Sequence, residues 1–407
     1  MKQFYRILIM FLLLMSSVSA QALLHPEQRL LNALEAIQTA QLAKAEQLLQ
    51  TLVADEPDFR LAQLLYADVM KAKANPLQQI GMGLKPGDEL EQLLSEVKSR
   101  WQANQETGVD KIPAVLSRID DYYMHAIVVD LKQSRLFVFE NFGTQPRQVA
   151  NYYISMGRAG PKKEKRGDLR TPLGVYFVQS YIPPHKLADK YGSGAYPINY
   201  PNAWDSFKGR TGDGIWLHGT PSDTYNRPPL ASEGCVVLPN NDLLEVGAYI
   251  TLGQTPVLIG YDLEWLSPDV WQQHQQQINT VFTNWIQDWK SLNTDSYLHH
   301  YSKSFNNGQK DFNTWVAHKK RVAMNKTFVD VEASDVSLLL HPNEDVMVAT
   351  FHQKYASDNF SSQSWKRQYW HKEQDGQWRI IYEGEIDAPA SPQLAKASEL
   401  QSKKSPN

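Results

Sequence analysis

Cys235 is the single cysteine in a chain of 407 residues, and it stands in Leu230-Ala-Ser-Glu-Gly-Cys-Val-Val-Leu238, directly after a glycine. A lone thiol has no disulfide partner in its own chain, so it serves either as a small buried hydrophobe or as a reagent. Seventeen positions earlier, His218 closes the apolar stretch Gly214-Ile-Trp-Leu-His218. A strand end of this kind projects a side chain into a cleft while the sheet holds its backbone. The polar, proline-bearing segment between the two can return the chain to the same end of the sheet. A thiol with a pKa of about 8.5 is only slightly ionised at neutral pH, and an adjacent imidazolium lowers that value. The pair would suit a cysteine nucleophile with a histidine general base, while on residue types alone a small buried cysteine and a satisfied polar histidine remain the alternative. Gly234 lets backbone approach a reacting carbonyl, the amides around Cys235 suit a developing oxyanion, and Ser232 can brace the turn. Zinc is the competing use of His and Cys. One cysteine without a His-x-x-x-His or Glu-x-x-His set near the cleft gives it no support, and no cofactor is expected.

The elements that must position these residues fall into distinct textures. Residues 26–72 repeat leucine and alanine at helical spacing, as in Leu30, Leu34 and Ile37, with Pro57 placed to open a third helix. A further helix is expected near 88–103. From residue 124 the runs "HAIVVDL", "RLFVFE", "VANYYISMG", "GVYFVQSY", "GIWLHG", "CVVL" and "AYITL" are short, β-branched or aromatic, and read as strands of a mostly β domain. A third region begins near Ser267-Pro268, where Val270, His274, Ile278, Val281, Trp285 and Trp289 trace one helical face. Strand-like runs follow, and eight of the eleven tryptophans fall between 265 and 378, so this region has its own aromatic core. The expected fold is multidomain: an N-terminal α-helical segment over 21–105, a mostly β domain over 112–262, and an α+β cone over 266–387. The Pro-, Ser- and Lys-rich tail, 388–407, is expected to be disordered.

Residues 1–20 combine Lys2 and Arg6 with an apolar run and a small-residue exit, the pattern of a cleaved signal peptide, and the expected location is a bacterial periplasm. A formal net charge of −3 gives no sign of a nucleic-acid partner. The helical segment is a candidate surface for homodimer formation. Between Gly157 and Arg170 six basic residues stand against two acidic ones. This loop could attract substrate carboxylates, or be simply solvated. Lys162, Lys163 and Arg170, together with Glu233, are candidate substrate-binding residues.

His218, the loop after it, and Ser232-Glu233-Gly234-Cys235 resemble the signature of the L,D-transpeptidase (YkuD-type) catalytic domain, a histidine followed at a distance by Ser/Thr-x-Gly-Cys. Thr171, Pro172 and Gly174 are similar to the same family's Thr-Pro-x-Gly. Two positions depart from it: Glu233 replaces a frequent histidine, and Val237 a frequent arginine. The wider arrangement resembles periplasmic L,D-carboxypeptidases with a C-terminal nuclear-transport-factor-2-like (NTF2-like) domain. In that C-terminal region, His299, His300, Tyr301 and Trp315 are expected in core and rim. The resemblance implies a substrate, the peptidoglycan stem peptide, and an acyl-enzyme on Cys235 with His218 moving the proton. It also implies that a backbone carbonyl orients the imidazole, with Gly219 expected there. Water as acceptor would make a carboxypeptidase, and a second stem a transpeptidase. Hydrolysis of stem–lipoprotein bonds would use the same chemistry. A non-catalytic wall-binding module is the alternative from another class.

Overall fold

The computed structural model describes residues 24–388, except 75, 77–78, 82–84, 107–110, 142 and 144. The expected signal peptide and nearly all of the expected tail lie outside the described residues.

Helical periodicity in the N-terminal region becomes three helices, Pro26–Gln38, Leu42–Asp55 and Arg60–Ala72, followed by a fourth at Asp88–Glu106. Pro26 sits in the first turn, where its missing N–H costs nothing, and His25 Nδ1 accepts from the Glu27 amide. Apolar stripes from these helices close on one another around Leu30, Leu34, Leu48, Leu52, Leu61 and Leu65. Pro57 does not open the third helix, contrary to expectation. The chain first makes a turn in which the Phe59 amide bonds the Glu56 carbonyl, and the fully buried Phe59 ring pins the helix start at Arg60. This helical unit also includes the distant segment Thr220–Ala231.

A second unit holds the other two domains. Its central domain is built on a five-stranded sheet in the order Pro146–Tyr153, Arg135–Asn141, His125–Asp130, Pro256–Gly260 and Gly174–Phe177. The pairs are antiparallel except His125–Asp130 with Pro256–Gly260. Four of these strands read as largely apolar runs because both faces are covered, while the edge strand Pro146–Tyr153 is mixed and partly exposed. Side chains alternate along each strand. Ile127, Val129, Val257 and Ile259 enter a core shared with Leu217, Val236 and Leu243. Val128, Phe137 and Leu258 pack against Leu339, Val348 and Tyr369 of the C-terminal domain. One expected strand is absent: the region of "AYITL" follows the helix Asn240–Gly247, and the strand is Pro256–Gly260 instead. Pro239 and the polar Asn240-Asn241-Asp242 favour a helix start there, and the exit from that helix consumes the apolar run.

The C-terminal domain lays the helix Pro268–Lys290 across an antiparallel meander, Val329–Leu340, Val346–Ser357, Phe360–Lys372 and Trp378–Ile386. Ile278, Phe282 and Trp285 bury against Leu338, Met347, Phe351 and Trp370. A fifth strand, Leu116–Ile119, joins this sheet beside Val329–Leu340, with Arg118 level with Leu338. It precedes the central domain in the chain. Among the described residues no helix is long and apolar enough to cross a membrane.

Candidate active site

Three short strands carry the cysteine and the histidine. Trp216–His218 lies between Val236–Val237, which runs parallel to it, and Ala195–Pro197, which runs antiparallel. Val237 is level with His218 and Val236 with Leu217, so Cys235 stands one residue ahead on the neighbouring strand. Parallel neighbours require a long connection, and the residues between His218 and Cys235 supply it.

The turn before the cysteine is closed by one hydroxyl. Ser232 Oγ accepts from the Gly234 amide at 3.1 Å and donates to the Cys235 carbonyl at 2.7 Å. Gly234 adopts φ of +128°, and a Cβ there would lie 2.7 Å from the Arg170 carbonyl oxygen. Only glycine fits this approach. The half-buried Cys235 donates its thiol proton to the Gly214 carbonyl, Sγ to oxygen 3.3 Å. Burial pushes the thiol pKa up, and the Glu233 charge adds to that rise. A backbone hydrogen bond from Trp216 and the charges of Lys190 and Lys163 act in the opposite direction. The net shift is upward, so the thiol rests protonated and needs a base to become a nucleophile.

His218 is buried, with Nδ1 2.7 Å from the Gly219 carbonyl oxygen. A carbonyl can only accept, so Nδ1 carries the hydrogen and Nε2 keeps its lone pair in the neutral ring. Tyr191 meets the imidazole edge-on at 5.0 Å and also packs on Trp216 at 4.9 Å. The Gly219 amide donates back to the Tyr191 carbonyl at 3.1 Å. Asn240 accepts from the Ser193 amide at 2.8 Å, and a side chain at position 219 would collide with the Asn240 carboxamide oxygen.

The structure thus gathers His218, Gly219, Ser232, Gly234 and Cys235, with the Arg170 backbone against the turn. Three of the candidate substrate-binding side chains differ from the picture of a free cationic loop. Lys163 is buried, its ammonium on Asp168 at 2.8 Å and on the Lys165 carbonyl at 3.0 Å, so it closes the loop and reaches Cys235 only as a field. Lys162 is exposed and 4.0 Å from Glu164, while Arg170 donates to the Pro161 carbonyl at 2.9 Å. Glu233 is exposed beside the cysteine, and Val237 is buried. Sequence reasoning missed Tyr191, Trp216 and Asn240. The only cue was the turn Tyr191-Gly-Ser-Gly194, whose glycines permit a tight return.

In the C-terminal domain a cavity of about 630 Å³ is lined by Trp289, Tyr297, Trp315, Lys319, Tyr355 and Glu383, among others. Lys319 Nζ lies 4.4 Å from the Trp315 ring centroid and 4.7 Å from that of Trp289. Burial brings its pKa down to about 8. Tyr301 is buried and donates to Glu383 at 2.9 Å, and His300 pairs with Asp288. Among the described residues no group of three or more His, Cys, Asp or Glu side chains is arranged to hold a metal ion.

Residues 124–259 match the L,D-transpeptidase catalytic domain (YkuD) family, and residues 277–384 match the Cds6 C-terminal NTF2-like domain family. Among solved structures, Bd1075 of Bdellovibrio bacteriovorus is 29% identical with a TM-score of 0.62, the match covering 69% of this chain and 100% of that one. The helical cell shape determining protein Pgp2 of Campylobacter jejuni is 22% identical with a TM-score of 0.54, covering 70% of this chain and 99% of that one. No curated protein matches the chain.

Proposed function

We propose that this chain, whose residues 124–259 are an L,D-transpeptidase catalytic domain, cleaves L,D peptide bonds of peptidoglycan stem peptides through a thioester on Cys235. One observation carries the reading: Cys235 stands one residue before the strand that pairs with Trp216–His218, and the histidine's Nδ1 is committed to the Gly219 carbonyl. Nε2 is then the only ring atom able to take the thiol proton. Sulfur attacks the carbonyl on the L-centre of the diamino acid, and the Cys235 amide is the oxyanion donor we assign, the Gly234 amide being held by Ser232 Oγ. The C–N bond breaks, the imidazolium returns its proton to the departing amine of D-alanine, and a C–S bond remains. Water, deprotonated by His218, then releases the acid and regenerates the thiol. We favour water over a second stem, and thus an L,D-carboxypeptidase that trims tetrapeptide to tripeptide. The likeness to a helical cell shape determining protein supports a role in setting cell shape. The N-terminal signal pattern agrees with a periplasmic site of action.

The test is to incubate the mature protein with purified tetrapeptide muropeptides and follow products by mass spectrometry. Tripeptide plus free D-alanine, absent with Cys235→Ala, is expected. Dimers joined through two diamino acids would replace the carboxypeptidase by a transpeptidase. Identical muropeptide profiles with wild type and Cys235→Ala would leave only a wall-binding module.

A further inference from the structure

The segment Thr220–Ala231 joins the histidine to the cysteine along the chain, yet it folds as part of the helical unit. Its two central residues are what hold it there. The Tyr225 ring stacks on Phe59 with centroids 4.2 Å apart and planes 23° apart, joining the apolar core of the helices. Asn226 donates its side-chain amide to Glu96 Oε1 at 2.8 Å. Glu96 is buried and its Oε1 also accepts from Arg100 Nε at 2.8 Å. Arg100 is equally buried, pairs with Glu27, and lies 5.4 Å over the Phe59 ring. The seat is therefore assembled from the first helix, the start of the third and the middle of the fourth. Within the segment, Thr220 Oγ1 donates to the Tyr225 carbonyl at 3.2 Å, which ties the seated ring to the residue that follows Gly219.

A surface connection needs no such seat, since loops ordinarily keep their polar groups in water. Half-burying an aromatic ring on Phe59 and an amide on the buried Glu96, whose carboxyl pKa burial pushes up to about 8, restrains the connection away from either end. We infer that the helical unit is a positioning device for the reaction: by seating Tyr225 on Phe59 and Asn226 on Glu96 it restrains, through the chain, the two ends that carry His218 and Cys235. The inference rests on the reading of those two as the reacting pair. Tyr225 and Asn226 are positioning residues that never touch substrate. Their effect is geometric, since misplacing reacting groups by as little as 1 Å costs about 100-fold in rate and partial loosening correspondingly less.

The test uses the full chain with Tyr225→Ala and Asn226→Ala on the segment and Phe59→Leu on the helical side. The single thiol allows carbamidomethylation of Cys235 by iodoacetamide to be read as one mass shift across pH, without substrate. Thermolysin cleavage within 220–231, mapped by mass spectrometry, reports whether the segment is released, and kcat and KM are taken on tetrapeptide muropeptide. Faster thermolysin cleavage is expected, with about a tenfold lower kcat, KM within about twofold, and a displaced pH profile of alkylation. Phe59→Leu should reproduce the Tyr225→Ala effect, and the double variant should be no worse than either single one. Release of the segment with alkylation and kcat within twofold of wild type would overturn the inference. Unchanged cleavage would overturn it equally, because the seat would then not be what holds the segment. Asn226→Ala leaves no cavity in the helical core, so it decides the matter should Tyr225→Ala fail to fold. Absence of muropeptide turnover by the wild type would sink the proposed function, while the alkylation comparison would still decide the positioning role.

Discussion

Replacing Gly234 by alanine is the most direct probe of how Cys235, the proposed nucleophile, is held. The residue sits at φ +128°, which L side chains rarely adopt, and the added Cβ would stand 2.7 Å from the Arg170 carbonyl oxygen. Ordinary contact begins near 3.4 Å, so the two backbone segments must part by at least about 0.5 Å. A carbonyl on a backbone cannot swing away as a flexible side chain can. The strained φ costs about 1–3 kcal/mol and the forced separation about as much again, giving an expected loss of about 2–6 kcal/mol. Because Cys235 is the next residue, half an ångström of displacement should also lower kcat by about tenfold. Gly209 supplies the control: its φ is +72°, but a Cβ there would meet nothing within 4 Å, so Gly209→Ala should show only the smaller backbone cost. Urea unfolding followed by tryptophan fluorescence and turnover of tetrapeptide muropeptide are the two measurements. Gly234→Ala with stability and kcat no worse than Gly209→Ala would refute the close-approach argument.

Two further outcomes follow from other contacts. Ser232→Ala removes both hydrogen bonds that close the turn and should slow Cys235 alkylation and turnover by about tenfold, a loss of about 1–2 kcal/mol, with Ser232→Thr restoring most of it. A Ser232→Ala protein with wild-type kcat would remove the hydroxyl from the positioning scheme. In the C-terminal domain, His341 Nδ1 accepts from the Asn343 amide and Nε2 donates to the Leu173 carbonyl, and burial brings its pKa down to about 4. The unfolded chain binds this proton first, at about pH 6.5. Stability from the neutral ring is therefore complete above about pH 6.5 and declines as pH falls toward 4, by up to about 3 kcal/mol. His341→Gln should flatten the unfolding midpoint across that window, and an unchanged slope would show that His341 is not the group responsible.

What was legible in the sequence was whatever has a period or a spacing. The leucine repeat of 26–72 gave the helices, and the interval from His218 to Cys235, together with the family resemblance, singled out two residues that the fold sets at neighbouring strands. The Gly219 carbonyl, implied by resemblance, lies against Nδ1. Tyr191 and Trp216 had no such mark, because an aromatic residue in a short turn or strand looks the same whether it packs on a histidine or on another part of the core. Lys163 looked like a free cation. Only the folded turn brings Asp168 onto it, and the two partners are near in sequence without any helical or strand spacing to announce them. The seating of Tyr225 on Phe59 joins residues far apart in the chain, and no local pattern encodes such a pairing. Leu116–Ile119 was hidden for a related reason: four residues are too few to show alternation, and the partner strand comes more than two hundred residues later.

That early strand has a consequence for how the molecule is made. The C-terminal sheet is discontinuous in the chain, since its edge Leu116–Ile119 is synthesised first and must wait for Val329–Leu340. Everything between is, topologically, a domain inserted into a sheet. Non-local pairing of this kind closes late and slowly, because the loop entropy is lost before the contacts form. A gene fusion or truncation made at the boundary after Gly260 would therefore not deliver a self-contained catalytic cassette and a self-contained sheet. It would leave one strand stranded on the wrong piece, together with an unpaired edge open to association with other chains.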